Sequence, residues 1–468
     1  AMRHDLRDAV EAVLAGKPVP VTMTDAPGCP LPETTDKTAS AMTTYHRDIV
    51  PILQRRCQAC HRPGQSGPFA LLSFQEAKSW AGAIREVVEE GRMPPWSADP
   101  KHGKFANDPS LTAGEKKSLL EWIDGGTPEG NPADGPPPRA FPDGWTIPAP
   151  DLIVEMPKAF TVPAEGVIEY QYFRVDPRFT EDRWVTAAEV RPGDPAVVHH
   201  CNIFLQPPGV ESMEEVAELG ALGSVCLTMA AQGTPPLLLK DGRGKRIPAG
   251  WRLVFVMHYQ SVGSVRTDRT RLGLVFADPK DVRQEVATKL LYDPGLRLPP
   301  RAASHRVEKE WTATKDVLLL SLFPHMHLRG KSFRYERIRK DGSAETLLHV
   351  PKWDFAWQHR YELAEPRLVR AGETIRCIAV YDNSDANPHN PDPSKEVRAG
   401  QQSTDEMFNG YFDVCLADED MTRPPTRWPL WLAVGLSASA LLYLVRRRPE
   451  NQSRPRMNTD RHGSEQKR

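Results

Sequence analysis

The stretch Leu253-Val-Phe-Val-Met-His-Tyr259 decides the fold class, because aliphatic, β-branched and aromatic side chains in an unbroken run favour an extended strand. The second half of the chain repeats the pattern, with turns rich in Pro, Gly and Asp between the runs Leu272–Phe276, Val317–Leu322 and Ile375–Tyr381. Residues 152 to about 420 are therefore predicted to be all-β. This length exceeds one ordinary β-sandwich, so we predict two sandwiches, 152–298 and 299–420.

Composition narrows the alternatives. A chain of 468 residues has room for two to four domains. Its 60 Lys and Arg balance 61 Asp and Glu, which excludes a disordered polyelectrolyte and a general nucleic-acid binder. Proline is abundant, at 45 residues, and this favours short strands and loops over a bundle of long helices.

Residues 43–130 have a different pattern and are predicted to form a small all-α domain. Two capping boxes, Ser73-Phe-Gln-Glu76 and Thr112-Ala-Gly-Glu115, predict helix starts, and Gly125 predicts the end of the last helix. Residues 131–151 are rich in Pro, Gly and Asp, so they are predicted to be an extended linker to the first sandwich.

The helical segment contains Cys57-Gln-Ala-Cys60-His61, a C-x-x-C-H motif. Two thiols at this spacing can attach a haem covalently while the following imidazole binds the iron. A thioredoxin-type redox pair is the alternative, but it would need a βαβ setting. Met93 is predicted as the sixth iron ligand, with His102 as its rival, and the prolines after Met93 would stiffen that loop. The segment resembles a c-type cytochrome domain with haem c.

Two terminal segments carry weaker patterns. The helix expected before Gly16, with the segment up to Cys29, resembles the C-terminal end of thioredoxin-like redoxin domains; a stray helix and linker over residues 1–42 is the alternative. Residues 428–445 contain no charge and precede Arg446-Arg-Arg448, which predicts one transmembrane helix in contact with membrane lipid. A buried core helix is the alternative. The span would leave 446–468 in the cytoplasm and place the other domains on the periplasmic side of the inner membrane.

Three groups of histidines lie at or beside the predicted strands: His199-His200, His258, and His325-Met-His327. Alternate residues of a strand share a face, so His325 and His327 can chelate one ion. His199 and His200 would point to opposite faces unless the strand bulges or ends there.

These histidines and the segment Asp405-Glu-Met407-Phe-Asn409-Gly-Tyr411 together resemble the copper type II ascorbate-dependent monooxygenases, the family of peptidylglycine alpha-hydroxylating and dopamine beta-monooxygenase. The resemblance implies an electron-transfer copper on His199, His200 and His258, and a catalytic copper on His325, His327 and Met407. It also implies that the two sandwiches are jelly-roll-like and face each other across a solvent cleft. A thioether ligand favours copper over zinc, which is the alternative metal.

The resemblance has one departure. Asn409 and Tyr411 match the family's substrate-binding positions, but Phe323 stands where peptidylglycine hydroxylation uses an arginine. A peptide carboxylate is therefore not expected as substrate unless the Arg329 side chain reaches the cleft.

The sequence thus predicts a membrane-anchored copper monooxygenase that hydroxylates a small organic substrate with dioxygen and receives electrons from a donor through its haem. A haem and copper electron-transfer or copper-handling protein without a substrate is the alternative, and a metal-stabilised binding module is a further one. For disulfides, Cys201 with Cys226 and Cys377 with Cys415 are the local pairing options.

Overall fold

The structure is a computed structural model that describes residues 5–19, 42–142, 144–212, 215–216 and 225–423. It is mostly β, and its α-helices are short: α1 Asp5–Leu14, α2 Val50–Arg56, α3 Phe74–Ser79, α4 Ala81–Glu89 and α5 Ala113–Asp124. A π-helical turn, Tyr45–Ile49, precedes α2, and two 3-10 turns lie at Pro132–Asp134 and Pro279–Asp281.

The first sandwich contains the strands β1 Leu152–Glu155, β2 Phe160–Val162, β3 Gln171–Val175, β4 Arg183–Arg191, β5 Val198–Gln206, β6 Cys226–Ala231, β7 Leu237–Leu238, β8 Arg243–Ile247, β9 Arg252–Tyr259, β10 Arg266–Asp268, β11 Arg271–Ala277 and β12 Gln284–Glu285. One sheet has the order β1-β11-β4-β8-β12, with β7 paired to β4, and the other has the order β3-β9-β5-β6. The short strands β2 and β10 pair with each other. Side chains from both larger sheets, among them Val185, Ile203 and Phe255, form the core between them.

The second sandwich contains β13 Ala287–Tyr292, β14 Arg297–Leu298, β15 His305–Thr312, β16 Val317–His325, β17 Gly330–Ile338, β18 Ala344–Val350, β19 Tyr361–Val369, β20 Thr374–Tyr381, β21 Val397–Arg398 and β22 Asn409–Leu416. Its sheets have the orders β13-β22-β16-β19 and β15-β20-β17-β18, and β14 pairs with β21. Strand β13 lies within the predicted first domain, yet it pairs along its whole length with β22. The second sandwich therefore begins before residue 299.

The two sandwiches pack directly on each other. The sequence of β9 does not alternate between polar and apolar residues, because both faces of the strand are covered. Leu253, Phe255 and Met257 face the core of the first sandwich, whereas Val254 and Val256 face a second apolar cluster. That cluster also contains Leu290, Phe323 and Tyr411 of the second sandwich. A strand covered on both faces is apolar at every position.

A buried ion pair joins the sandwiches beside this cluster. Lys245 Nζ lies 3.0 Å from Asp413 Oδ1, and both side chains are almost completely buried. The ammonium also donates to Leu227 O and to Thr288 Oγ1, while Ser321 donates to the carboxylate. The charges are thus neutralised and hydrogen-bonded, as burial requires.

The predicted fold class is wrong in its helical parts. No separate all-α cytochrome domain is evident: residues 43–130 form four short helices and a π-helical turn, and the part around Phe105 adds a β-bridge to Leu363 of the second sandwich. Both capping boxes are confirmed, at Ser73 and Thr112, but they begin helices of only 6 and 12 residues. The helices bury Tyr45, Ile49, Leu53, Leu119 and Trp122 in a small core of their own.

Among the described residues, no helix is long and apolar enough to cross a membrane. The predicted span 428–445 and the tail 446–468 lie outside the described residues.

Candidate functional site

The first histidine group, His199, His200 and His258, forms on two neighbouring strands. The pairing of β5 with β9 shifts register between Val198 and His200, so a bulge lies at His199, and His200 is opposite His258. The bulge allows adjacent histidines to converge on one side. One ring nitrogen from each of the three residues lies within 4.8 Å of the others, and all three residues are buried. This is the geometry of a three-ligand metal site.

Burial keeps these rings neutral. It lowers the pKa of His199 to about 4 and that of His258 to about 3, and the pKa of His200 falls well below its ordinary value for the same reason. The neighbouring imidazoles lower the pKa values of His200 and His258 further. Neutral imidazole is the form that binds a metal. His258 Nδ1 is buried and has no hydrogen-bond partner in the part of the chain that the structure describes, which is unusual for a polar atom and suits a metal ligand.

The second group is built from the end of one strand. His325 is the last residue of β16, His327 follows two positions later, and their ring centroids are 5.2 Å apart. Both are buried, and burial lowers the pKa of His325 to about 4 and that of His327 well below its ordinary value. Gln358 holds His325 through its Nδ1. His327 Nε2 is also buried, and none of the described residues forms a hydrogen bond with it.

Glu406 connects this group to Met407. Its buried carboxylate accepts hydrogen bonds from the backbone N–H groups of His327, Arg329 and Met407, at 2.9, 2.7 and 3.0 Å. Burial raises its pKa to about 7, against the lowering effect of these bonds. Glu406 therefore fixes the turn that carries His327 and the segment that carries Met407 in one arrangement. Sequence analysis quoted this residue only as part of a motif and missed its positioning role.

The two groups lie side by side. His200 and His325 have ring centroids 5.6 Å apart, and the five rings form one buried cluster at the junction of the sandwiches. Among the described residues, the solvent cleft implied by the family resemblance is therefore not present between the two histidine groups. The apolar cluster that contains Val256 and Phe323 packs the two sandwiches together beside them.

Tyr170 lies at the centre of this junction, and sequence analysis missed it. Its hydroxyl is 3.0 Å from His200 Nε2, and its ring stacks on His258 with centroids 4.7 Å apart. Burial raises its pKa, so the phenol keeps its proton. No local motif surrounds Tyr170, because its role depends on strands that are distant in sequence.

A cavity of about 420 Å³ adjoins the second group. His325, Met407, Asn409 and Tyr411 line it, so two of the three predicted ligands meet both predicted substrate residues at one space, whereas His327 does not line the cavity. Asn409 Nδ2 donates to Met407 Sδ at 3.4 Å. The described residues around the cavity also include several tyrosines and phenylalanines, namely Tyr170, Tyr172, Phe204, Tyr292 and Phe408, but no Lys or Arg.

Arg329 does not replace the missing cationic group. Its guanidinium is buried and donates to Asn383 Oδ1 at 2.9 Å and to Thr404 O at 2.8 Å, and it does not line the cavity. The cavity therefore suits a substrate without a carboxylate.

The haem motif lines a different cavity, of about 410 Å³. Cys57, Cys60, His61 and Met93 all border it, whereas His102 does not. His61 Nδ1 lies 3.1 Å from Phe69 O, and donation to this carbonyl leaves Nε2 free for a metal. The rest of the lining is mostly apolar, with Ile84, Val87, Val88, Leu111 and Leu119, as a buried macrocycle requires. The residues thus fit a covalent haem.

One loop, residues 351–360, reaches both sites. Trp357 borders the cavity at the haem motif, and Phe355 stacks on His199 with centroids 4.9 Å apart. In the same loop, Trp353 Nε1 donates to His327 O at 3.2 Å. The run Trp353–Trp357 has the composition of an ordinary aromatic core, so its sequence favours a packing role over a ligand-binding one and does not predict contact with both sites.

The described cysteines are all free thiols: Cys57, Cys60, Cys201, Cys226, Cys377 and Cys415. The two suggested disulfides are therefore wrong. Cys226 faces Phe204, not Cys201, across β5 and β6, and Cys377 and Cys415 lie in different sheets.

No protein-family model and no curated protein matches the chain. Among solved structures, the match with the STIV MCP spans 56% of this chain and 97% of the MCP chain, at 9% sequence identity and a TM-score of 0.23. The match with a chain of the infectious bursal disease virus Gx strain spans 59% of this chain and 74% of the viral chain, at 7% sequence identity and a TM-score of 0.17. The match with a Paenibacillus xanthan lyase spans 61% of this chain and 29% of the lyase chain, at 10% sequence identity and a TM-score of 0.15. These scores carry no argument about fold or function.

Proposed function

We propose that the protein is a copper-dependent monooxygenase that hydroxylates an organic substrate without a carboxylate, using dioxygen, and takes its electrons through a haem attached at Cys57 and Cys60. One observation carries the proposal. Five buried, neutral imidazoles converge, and two of them, His258 and His327, have a buried ring nitrogen with no hydrogen-bond partner among the described residues. Unpaired buried nitrogens of this kind are costly unless a metal binds them.

The nature of the ligands supports copper. Imidazole binds zinc and copper alike, whereas a thioether such as that of Met407 favours copper. Bound copper supplies the redox chemistry with dioxygen that hydroxylation of a C–H bond requires. The chain's own residues hold and orient this site: Glu406 positions the second ligand group, and Tyr170 fixes His200. The apolar cluster that contains Val256 and Phe323 packs around Tyr170 beside this site.

The cavity beside Met407 supports a reaction on a small molecule. Its tyrosine and phenylalanine side chains offer apolar and aromatic contact, and the absence of Lys and Arg among its described lining residues disfavours a carboxylate. A protein that only transferred electrons would not need a cavity of about 420 Å³ against its metal ligands.

The loop 351–360 supports entry of electrons from the haem motif. It brings Trp357 to that cavity and Phe355 to His199, so one short covalent path joins the two sites. A cavity of about 620 Å³ also extends from Cys60 to His199 and His200, which places the two sites on either side of one space. A covalent haem supplies one-electron chemistry.

Metal and haem analysis of the full chain tests the cofactor assignment. We expect one haem and two copper ions per chain, with the optical and spin-resonance spectra of non-blue copper. His258→Ala and His327→Ala should each remove one copper ion, while His305→Ala, a change to a histidine of β15 outside the cluster, should remove none. Equal copper content in the wild type and in His258→Ala would contradict the assignment.

Dioxygen uptake by the reduced protein tests the reaction. We expect some members of a panel of organic compounds without a carboxylate to accelerate uptake and to gain one oxygen atom from isotopically labelled dioxygen. Met407→Leu should abolish this acceleration, whereas Met421→Leu, at a partly exposed position, should not. Uptake that no compound changes would favour an electron-transfer protein instead.

Stopped-flow mixing with dioxygen tests the electron route. Trp357→Leu should slow reoxidation of the haem without changing haem content, and Trp145→Leu, a tryptophan outside the cavity at the haem motif, is the matched control. Haem that reoxidises at the wild-type rate in both Trp357→Leu and His258→Ala would contradict the route.

A further inference from the structure

We propose that Asp99, His102 and His349 form a separate zinc site that fixes the segment carrying Met93 to the second sandwich. One carboxylate oxygen and two imidazole nitrogens from these residues lie within 4.8 Å of one another. The site does not depend on the proposed monooxygenase activity, and none of its residues belongs to the histidine cluster or lines the cavity at the haem motif.

Backbone contacts hold the three side chains together. Asp99 N donates to His349 O at 2.8 Å, and His102 N donates to Asp99 O at 3.0 Å, so a tight turn lies against β18. Asp99 Oδ2 is 3.7 Å from His349 Nδ1, and the two imidazole centroids are 6.2 Å apart. The arrangement is therefore set by the main chain and does not rely on long, mobile side chains.

Gly103 shows how closely the turn is seated. Its φ is +73°, and a Cβ at this position would lie 2.5 Å from Leu347 O of β18. Only glycine allows both the backbone angle and the approach. The neighbouring pairs Ala106 N with Glu362 O and Ala364 N with Lys104 O, each at 2.8 Å, continue the contact along β19.

The ligand set points to zinc. Two histidines and one carboxylate form the protein part of known three-ligand zinc sites, with water as the fourth ligand. All three residues are partly exposed, so water has access to that fourth position. The three described cavities have no lining residue from this set, which fits a stabilising ion better than a reactive iron centre.

Nearby charges do not prevent binding. Arg334 on β17 is the main cation near His349, and its guanidinium is paired with Glu336 at 3.0 Å. Burial, followed by the charge of Arg334, lowers the pKa of His349, which favours its neutral form. Lys101 contributes its backbone N–H to Asp99 Oδ1 and leaves Oδ2 available to a metal.

Zinc stoichiometry of the full chain, measured by dialysis and elemental analysis after treatment with a chelator, tests the site. The histidine cluster also binds zinc under these conditions, so the expected result is a difference: His102→Gln and His349→Gln each bind one zinc fewer than the wild type. His305→Gln, at a partly buried histidine on β15, should bind as the wild type does.

Thermal unfolding supplies a second measurement on the same proteins. Without metal, the wild type and His102→Gln should unfold at similar temperatures. Zinc should raise the unfolding temperature of the wild type more than that of His102→Gln, because the wild type has one more zinc site. If His349→Gln fails to fold, Asp99→Asn replaces it. Wild-type zinc content in both His102→Gln and Asp99→Asn would overturn the site, and anaerobic loading with iron in preference to zinc would overturn the choice of metal.

Discussion

His199, His200 and His258 lie on two hydrogen-bonded strands of one sheet, whereas His325, His327 and Met407 come from a strand end, the turn after it and a distant segment. The first group needs one bulge and the register of β5 with β9. The second needs Glu406, which binds the backbone of both its parts. Pairing of strands thus builds one ligand group, and a single buried carboxylate builds the other, so the two groups should fail under different substitutions.

Asp413→Ala should have the largest effect, because it breaks the junction that brings both groups together. It leaves Lys245 buried without its partner, which costs about 3–5 kcal/mol of folding free energy. Denaturant unfolding measures this loss. The double variant Lys245→Met with Asp413→Leu is the control and should lose far less, since no buried charge remains. A single variant as stable as the wild type would show that the ion pair does not hold the junction.

Glu406→Ala should disrupt the second ligand group and leave the first intact. It leaves three buried N–H groups without an acceptor, but it also removes a carboxylate whose burial is unfavourable, so we expect a net loss of roughly 1–3 kcal/mol together with loss of the metal of the second group only. Metal analysis together with denaturant unfolding checks both parts. Glu396→Ala, which changes an exposed glutamate, is the control; loss of metal from the first group as well would contradict separate construction.

Acid should weaken the junction more mildly than Asp413→Ala does. Burial alone would raise the pKa of Asp413, but Lys245, Thr288 and Ser321 outweigh it and leave the pKa below its ordinary value. The stabilisation is therefore complete above the ordinary aspartate pKa and disappears as the pH falls through the lowered value. Unfolding measured from pH 6 down to pH 2 should show a loss that the Lys245→Met/Asp413→Leu double variant lacks.

Tyr170→Phe should have the smallest effect. It removes one hydrogen bond to His200 and keeps the stacking on His258, so about 0.5–1.5 kcal/mol of stability is at stake. The spin-resonance spectrum of the metal in the first group should change, while that of the second stays the same. Tyr172→Phe, at the neighbouring cavity residue, serves as control; unchanged spectra in Tyr170→Phe would argue against this role.

Much of the β region was predictable, because runs such as Leu253–Met257 and Ile375–Tyr381 contain strand-forming residues at every position, and both lie in strands. The need for a bulge at His199 also followed from strand geometry, and the bulge is present. The helical segment was less predictable. Capping boxes mark where a helix begins, but they do not reveal that the chain after Trp96 leaves the helices and pairs with β19.

The sequence alone determined the strands and the presence of histidine, methionine and cysteine at suitable spacings, because local side-chain pattern controls extended structure and short-range chelation. Only the tertiary structure decided how these parts meet. It placed His200 next to His325 without an intervening cleft, gave Tyr170, Glu406 and Trp357 their positions, and brought His102 to His349. Such contacts depend on packing between distant segments, and no local pattern encodes them.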